Sequence, residues 1–184
     1  DDYGDGGGGG DDGLQHVSAL NRRTQELMSV YVTLEDYYMH ESVRKAVAMD
    51  ELVHDDDGTC VSSMVDYVFV VLQKCSQRAL ETCNIDCVCA LVNILTSCVA
   101  GDLLATLNAA LADATAMRLG RSAAEKRAEL IVALNNLDVC SANVAKTRAD
   151  LDRRCADVFG GAHLAKARGV LNGLGDARAD AVVS

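Results

Sequence analysis

The sequence predicts an all-α fold, a bundle or rod of long helices, on three observations. Its 184 residues include no proline, where an average composition would supply about nine. Aromatic residues are few, with two Phe, five Tyr and no Trp, while Ala, Leu and Val abound. A β-sandwich would need more aromatic and β-branched residues between Gly and Pro turns. Third, apolar residues recur at steps of three and four over long stretches, the period of a helix with one buried face. A chain of this length buries roughly 70% of its extended surface, enough for one respectable core.

The elements follow in order. Residues 1–13 read DDYGDGGGGGDDG. Glycine freedom and like-charge repulsion predict a disordered linker there, with the helical segment running from 14 to 184. The first helix is expected from about Leu14 to Met49, with Leu20, Leu27, Tyr31, Leu34 and Tyr38 along one stripe. An acidic loop ending at Gly58 follows. Ser62 or Ser63 then caps a second helix, whose core positions are Val65, Val68, Phe69, Leu72, Cys75 and Ala79, ending near Cys83. Asn84 caps a third, carrying Ile85, Val88, Val92, Leu95, Val99, Leu103, Leu107 and Leu111, with Gly101 as a point where it can kink. Gly120 ends it. Ser122-Ala-Ala-Glu125 is a capping box that opens a helix to about Phe159, with Leu130, Leu134, Leu137, Val144, Leu151, Cys155 and Val158 as its stripe. Such a helix is roughly 55 Å long, more than a compact domain needs. Gly160-Gly161 closes it, and a short final helix from about Ala162 to Val183 is weakened by Gly169, Gly173 and Gly175.

Charge excludes several functions. The net charge of −10 comes from five Asp in residues 1–13 and five acids in residues 50–57; the other 17 acidic residues balance 17 basic ones. No basic stripe remains to neutralise phosphates, so nucleic acid is not an expected partner. The longest uncharged run, Cys87 to Gly101, has 15 residues, shorter than the 18 to 20 or so of a membrane span. The chain starts without Met or a basic and apolar leader, so secretion is not expected, and the start reads as the edge of a longer chain. Eight cysteines in apolar helical segments are expected as packed, reduced thiols of a cytosolic protein.

Sites that sequence patterns could imply have simpler readings. Gly4, Gly6 and Gly9 match a dinucleotide fingerprint, but no strand precedes them. Gly7, Gly8, Gly10, Asp12 and Leu14 fit one calcium-binding nonapeptide, a fold that needs several stacked copies. Asp55-Asp56-Asp57-Gly58 lacks the alternating ligands and closing Glu of an EF-hand. Cys83, Cys87, Cys89 and Cys98 form the sharpest alternative, a thiol-based metal or redox module. Cys89 points roughly 200° away from Cys87 on a helix, however, and no His is near in sequence. His40 and Glu41 beside Tyr37 and Tyr38 are adjacent on a helix and diverge, and the tyrosines are expected in packing. His16, His54 and His163 have no nucleophile at a readable spacing. The expectation is a non-enzyme with no catalytic, cofactor or metal residues.

Four blocks carry a family resemblance: QELMSVYVTLEDYYMHESVRKAVAMDE, TCVSSMVDYVFVVLQKCSQRAL, NIDCVCALVNILT and LIVALNNLDVCSANV. They resemble, in order, the central part of the subunit 4 family of the conserved oligomeric Golgi complex, from about Gln25 to Phe159 and more weakly beyond. The resemblance implies a segment of a tethering-complex subunit, peripheral on the cytosolic face of the Golgi membrane, serving retrograde intra-Golgi vesicle tethering, Golgi organisation and the maintenance of glycosylation. Its implied partners are the complex's other subunits and, through regions absent from this chain, SNARE machinery. No partner-binding residue carries over. Between Arg118-Leu119-Gly120 and Ser122 the sequence is shorter than the family pattern, so its bundle is expected to expose apolar surface. A generic helical adaptor is the remaining alternative.

Overall fold

The computed structural model describes residues 19–54, 59–116 and 122–183, with side chains to residue 176. The 1–13 segment with its glycine patterns, His16, the Asp55 to Gly58 cluster and the shortened region at Gly120 lie outside the described residues. Helix α1 runs Ala19–Ala48, and a small hairpin follows, β1 Leu52–His54 against β2 Cys60–Ser62. Then come α2 Ser63–Glu81, α3 Ile85–Ser97, a π-helical turn Cys98–Leu103, α4 Leu104–Thr115, α5 Ala123–Val158 and α6 Gly161–Val183. The fold is an all-α bundle of long helices, as the composition predicts.

Helix α3, the π turn and α4 are one continuous helix, Ile85–Thr115. Its first half packs on α1, α2 and α6, and its second half on α5. By length and composition alone this helix is apolar enough to cross a membrane, which the 15-residue uncharged run did not reveal. More than half of its most apolar window is buried within the bundle. Val88, Val92, Leu95, Val99, Leu103 and Leu107 form the centre of the core with Met39, Leu72 and Leu174. The π turn surrounds Gly101, where the sequence allows a kink; the extra residue in the turn absorbs what propensity disfavours.

The predicted α1 stripe is rotated, and the predicted α5 stripe holds only in its second half. On α1 the buried residues are Glu35, Met39, Ser42, Val43 and Ala46, with Met28 and Val32 packed beside them. This face lies one residue beyond the predicted one, a turn of roughly 100°. Leu20, Leu27 and Leu34 are 75%, 69% and 62% exposed. On α5 the seam is Ala133, Asn136, Cys140, Val144, Thr147, Leu151 and Cys155. Leu134 and Val158 are exposed, and Leu130 and Leu137 only half-buried. Val144, Leu151 and Cys155 are buried as predicted, while in the first half of α5 Ala133, Asn136 and Cys140 take the inner face. The α2 and α3 stripes match their predictions, being covered on more than one side.

The hairpin was not anticipated. Its antiparallel register is Leu52↔Ser62, Val53↔Val61 and His54↔Cys60, and α5 holds it. The Asn136 side-chain oxygen accepts from the Ser62 amide at 2.8 Å, and Asn135 Nδ2 donates to the Cys60 carbonyl at 3.0 Å. Ser62 occupies the N-cap position of α2 without capping it. Asp50 supplies the missing acceptor, taking the Met64 amide at 3.0 Å and the Ser62 hydroxyl. A carboxylate at a helix N-terminus satisfies an orphan donor and complements the dipole.

Other boundaries follow local chemistry. Asn84 accepts from the amides of Asp86 and Cys87 at 3.0 Å each, the expected cap. The preceding Cys83 sits at φ 50°, left-handed backbone. The capping box forms in both directions: Ser122 accepts from the Glu125 amide at 3.2 Å, and Glu125 accepts from the Ser122 amide at 2.8 Å. Gly161, at φ 54°, turns the chain from α5 into α6. Helix α6 runs unbroken through Gly169, Gly173 and Gly175, because Ala167, Leu171 and Leu174 bury its inner side.

Candidate functional site

The thiols come first because they carried the sharpest chemical alternative. All eight are free, and Cys83 alone of them is exposed. Cys87, Cys89 and Cys98 are buried, and among the described residues no three of the four candidate thiols converge to ligand distance. Burial pushes the Cys75, Cys98 and Cys140 thiols up to about 12, so with no cation bound they stay protonated at neutral pH. His54 and His163 lie on the surface. The reading of Tyr37 and Tyr38 as packed rings is corrected: they are 69% and 45% exposed.

Two polar clusters were not foreseen. In the first, buried Glu35 on α1 accepts both nitrogens of the Arg78 fork from α2, at 2.6 and 2.7 Å. Arg78 also donates to Cys75 Sγ at 3.3 Å and lies over the Tyr38 ring, 5.4 Å from its centre. Burial pushes the Glu35 carboxyl up, but the hydrogen bonds from Arg78, Cys75 and Tyr31 together with the Arg78 charge outweigh this and hold it below the ordinary 4.5. Burial, and then the Glu35 charge, raise the neighbouring Tyr31 phenol. The Tyr31 hydroxyl is buried beside Glu35. This cluster fixes the angle of α1 on α2; a glutamate inside an apolar run was its only trace in the sequence.

In the second cluster, His40 bridges α1 and the π turn. Its Nδ1 lies 2.5 Å from Asp102 Oδ2, and its Nε2 lies 3.3 Å from Asp36 Oδ1. Cys98 lies beside the first contact. The spacing Asp36-x3-His40 and Cys98-x3-Asp102 on two helices was legible, but nothing in the sequence said the two would face each other. His40, Asp102, Tyr37, Gly101 and Thr106 line an open cleft of about 730 Å³.

The surface shows what the bundle leaves uncovered. Leu20, Leu27 and Leu34 repeat every seven residues on α1, with Val30 and Tyr37 three residues after the second and third of them, all exposed. That is the a/d pattern of a helix made to meet another helix. Leu52, Val53, Ile131 and Leu134 expose a second apolar area where the hairpin meets α5.

Long helices, packed thiols and an uncovered heptad face define a helical scaffold protein. Residues 12–111 match the model of the family described as COG4 transport protein, middle alpha-helical bundle. The chain belongs to that family. It is 32% identical over 176 residues to conserved oligomeric Golgi complex subunit 4 of Mus musculus, covering 80% of this chain and 22% of that protein. The Arabidopsis thaliana protein of the same name is 34% identical over 145 residues, covering 77% of this chain and 19% of its own length. The Caenorhabditis elegans protein of that name is 40% identical over 86 residues, covering 47% and 10%. The chain thus spans about a fifth of the length of the mouse and Arabidopsis relatives. No solved structure matches it.

Proposed function

We propose that the chain is the middle helical section of a non-catalytic subunit of the conserved oligomeric Golgi complex, acting in retrograde intra-Golgi vesicle tethering. Its parent polypeptide sits peripherally on the cytosolic face of the Golgi and keeps glycosylation enzymes in place. The carrying observation is membership of the subunit 4 family by a bundle whose α1 leaves an apolar heptad face uncovered. Rigid helices hold docking faces apart, and several weak contacts on one assembly add by effective concentration. Contact with SNARE machinery runs through parts of the parent outside this chain.

Depleting the gene product in its own cells and staining surface glycans with lectins tests this reading. Truncated glycans, restored by the full-length gene, are the expected result. Normal glycans after complete depletion would remove the proposal.

A further inference from the structure

His40 presents an unusual demand. Both of its ring nitrogens face carboxylate oxygens, Asp102 Oδ2 at 2.5 Å and Asp36 Oδ1 at 3.3 Å. Imidazole nitrogens and carboxylate oxygens are both metal ligands, and a divalent ion taken up on Nδ1 would replace the direct contact with Asp102, with Asp36 at Nε2 in the carboxylate–histidine–metal arrangement that orients metal-bound imidazoles.

Cys98 brings a third donor to the same place: its Sγ, His40 Nδ1 and the Asp102 carboxylate all lie within 4.8 Å of one another. A nitrogen, a sulfur and an oxygen donor are a set that a borderline-soft divalent ion takes. Cys98 and Asp102 both belong to the π turn, which packs against α1. His40 and Asp102 also line the open cleft beside the cluster.

We propose that His40, Cys98 and Asp102 form a zinc-class divalent metal site, with Asp36 as the residue that positions His40. It clamps α1 to the middle of the continuous helix, below the uncovered face of α1. Binding displaces the Cys98 proton, so the thiol becomes a thiolate bonded to the metal and the proton leaves to solvent. This site shares Cys98 with the cysteine grouping of Cys83, Cys87, Cys89 and Cys98 but uses none of its other thiols, which do not converge on it, and it holds whether or not the tethering role does.

The test titrates the purified chain with Zn²⁺ against a competing chelator, and with Co²⁺ while recording absorption. One equivalent of each ion binds, and cobalt develops a thiolate charge-transfer band with tetrahedral d–d bands. Cys98→Ser abolishes the band, and His40→Ala and Asp102→Asn each lose tight binding while circular dichroism shows the helices intact. Asp36→Asn retains the site but weakens it about 10- to 100-fold. Cys83→Ser, which removes the exposed thiol, changes nothing. Absence of one-equivalent binding would overturn the site. Binding that survives Cys98→Ser and Asp102→Asn would overturn it as well.

Discussion

Arg78 grips Glu35 through two nitrogens at 2.6 and 2.7 Å, and the pair joins α2 to α1 where the carboxylate is buried and the guanidinium half exposed. Because these bonds, with those from Cys75 and Tyr31, hold the Glu35 carboxyl below its ordinary value, the pair's stabilisation is complete above the unfolded value near 4.5. It is lost as pH falls through the lower folded value. Glu35→Gln should cost about 1 to 3 kcal/mol at neutral pH, since Arg78 retains partial solvation. Denaturant melts of variant and parent should converge as the solution is acidified below that window. An unchanged difference at low pH would locate the cost in packing instead.

Asn136 predicts a larger local effect than its polarity suggests. Its side chain is the acceptor for the Ser62 amide, so Asn136→Ala orphans a buried donor and should cost about 1 to 3 kcal/mol. Hydrogen exchange at Ser62 should accelerate more than exchange in α6.

Cys83 holds left-handed backbone without being glycine. Cys83→Gly should raise stability by about 1 kcal/mol, since the strain of that conformation is removed and the side chain is exposed. A lower thermal midpoint would mean that the thiol makes contacts outweighing the strain.

The Leu27→Glu/Leu34→Glu pair separates folding from assembly. Both side chains are exposed in the bundle, so the chain's own stability should move by less than about 0.5 kcal/mol per substitution. In the full-length parent the same changes should strip partners from the protein. Loss of stability in the isolated chain would place those leucines in a core.

These residues also mark how far the sequence could be read. The helix count, the Asn84 cap, the Ser122 to Glu125 box and the α2 and α3 stripes were legible because local hydrogen bonding and helical period decide them. The face of α1 and the first half of α5 were not. A stripe of leucines reads the same whether it packs inside one bundle or waits for a helix from elsewhere, and α5 buries Ala133 and Asn136 where Leu134 is exposed, although Val144, Leu151 and Cys155 lie on the seam as read. The hairpin escaped because three-residue strands have no period to detect, and their stability comes from Asn135 and Asn136, about 75 residues further along the chain. Both polar clusters depend on tertiary pairing, with His40 and Asp102 separated by 62 residues.

The central claim is that this bundle is one section of a Golgi tethering subunit, and its most direct test is affinity purification of the tagged full-length parent from its own cells, with quantitative mass spectrometry of what accompanies it. The account predicts near-stoichiometric recovery of other subunits of the conserved oligomeric Golgi complex, and their loss when Leu27 and Leu34 become Glu. Recovery of the parent alone, at native expression and in mild detergent, would contradict it.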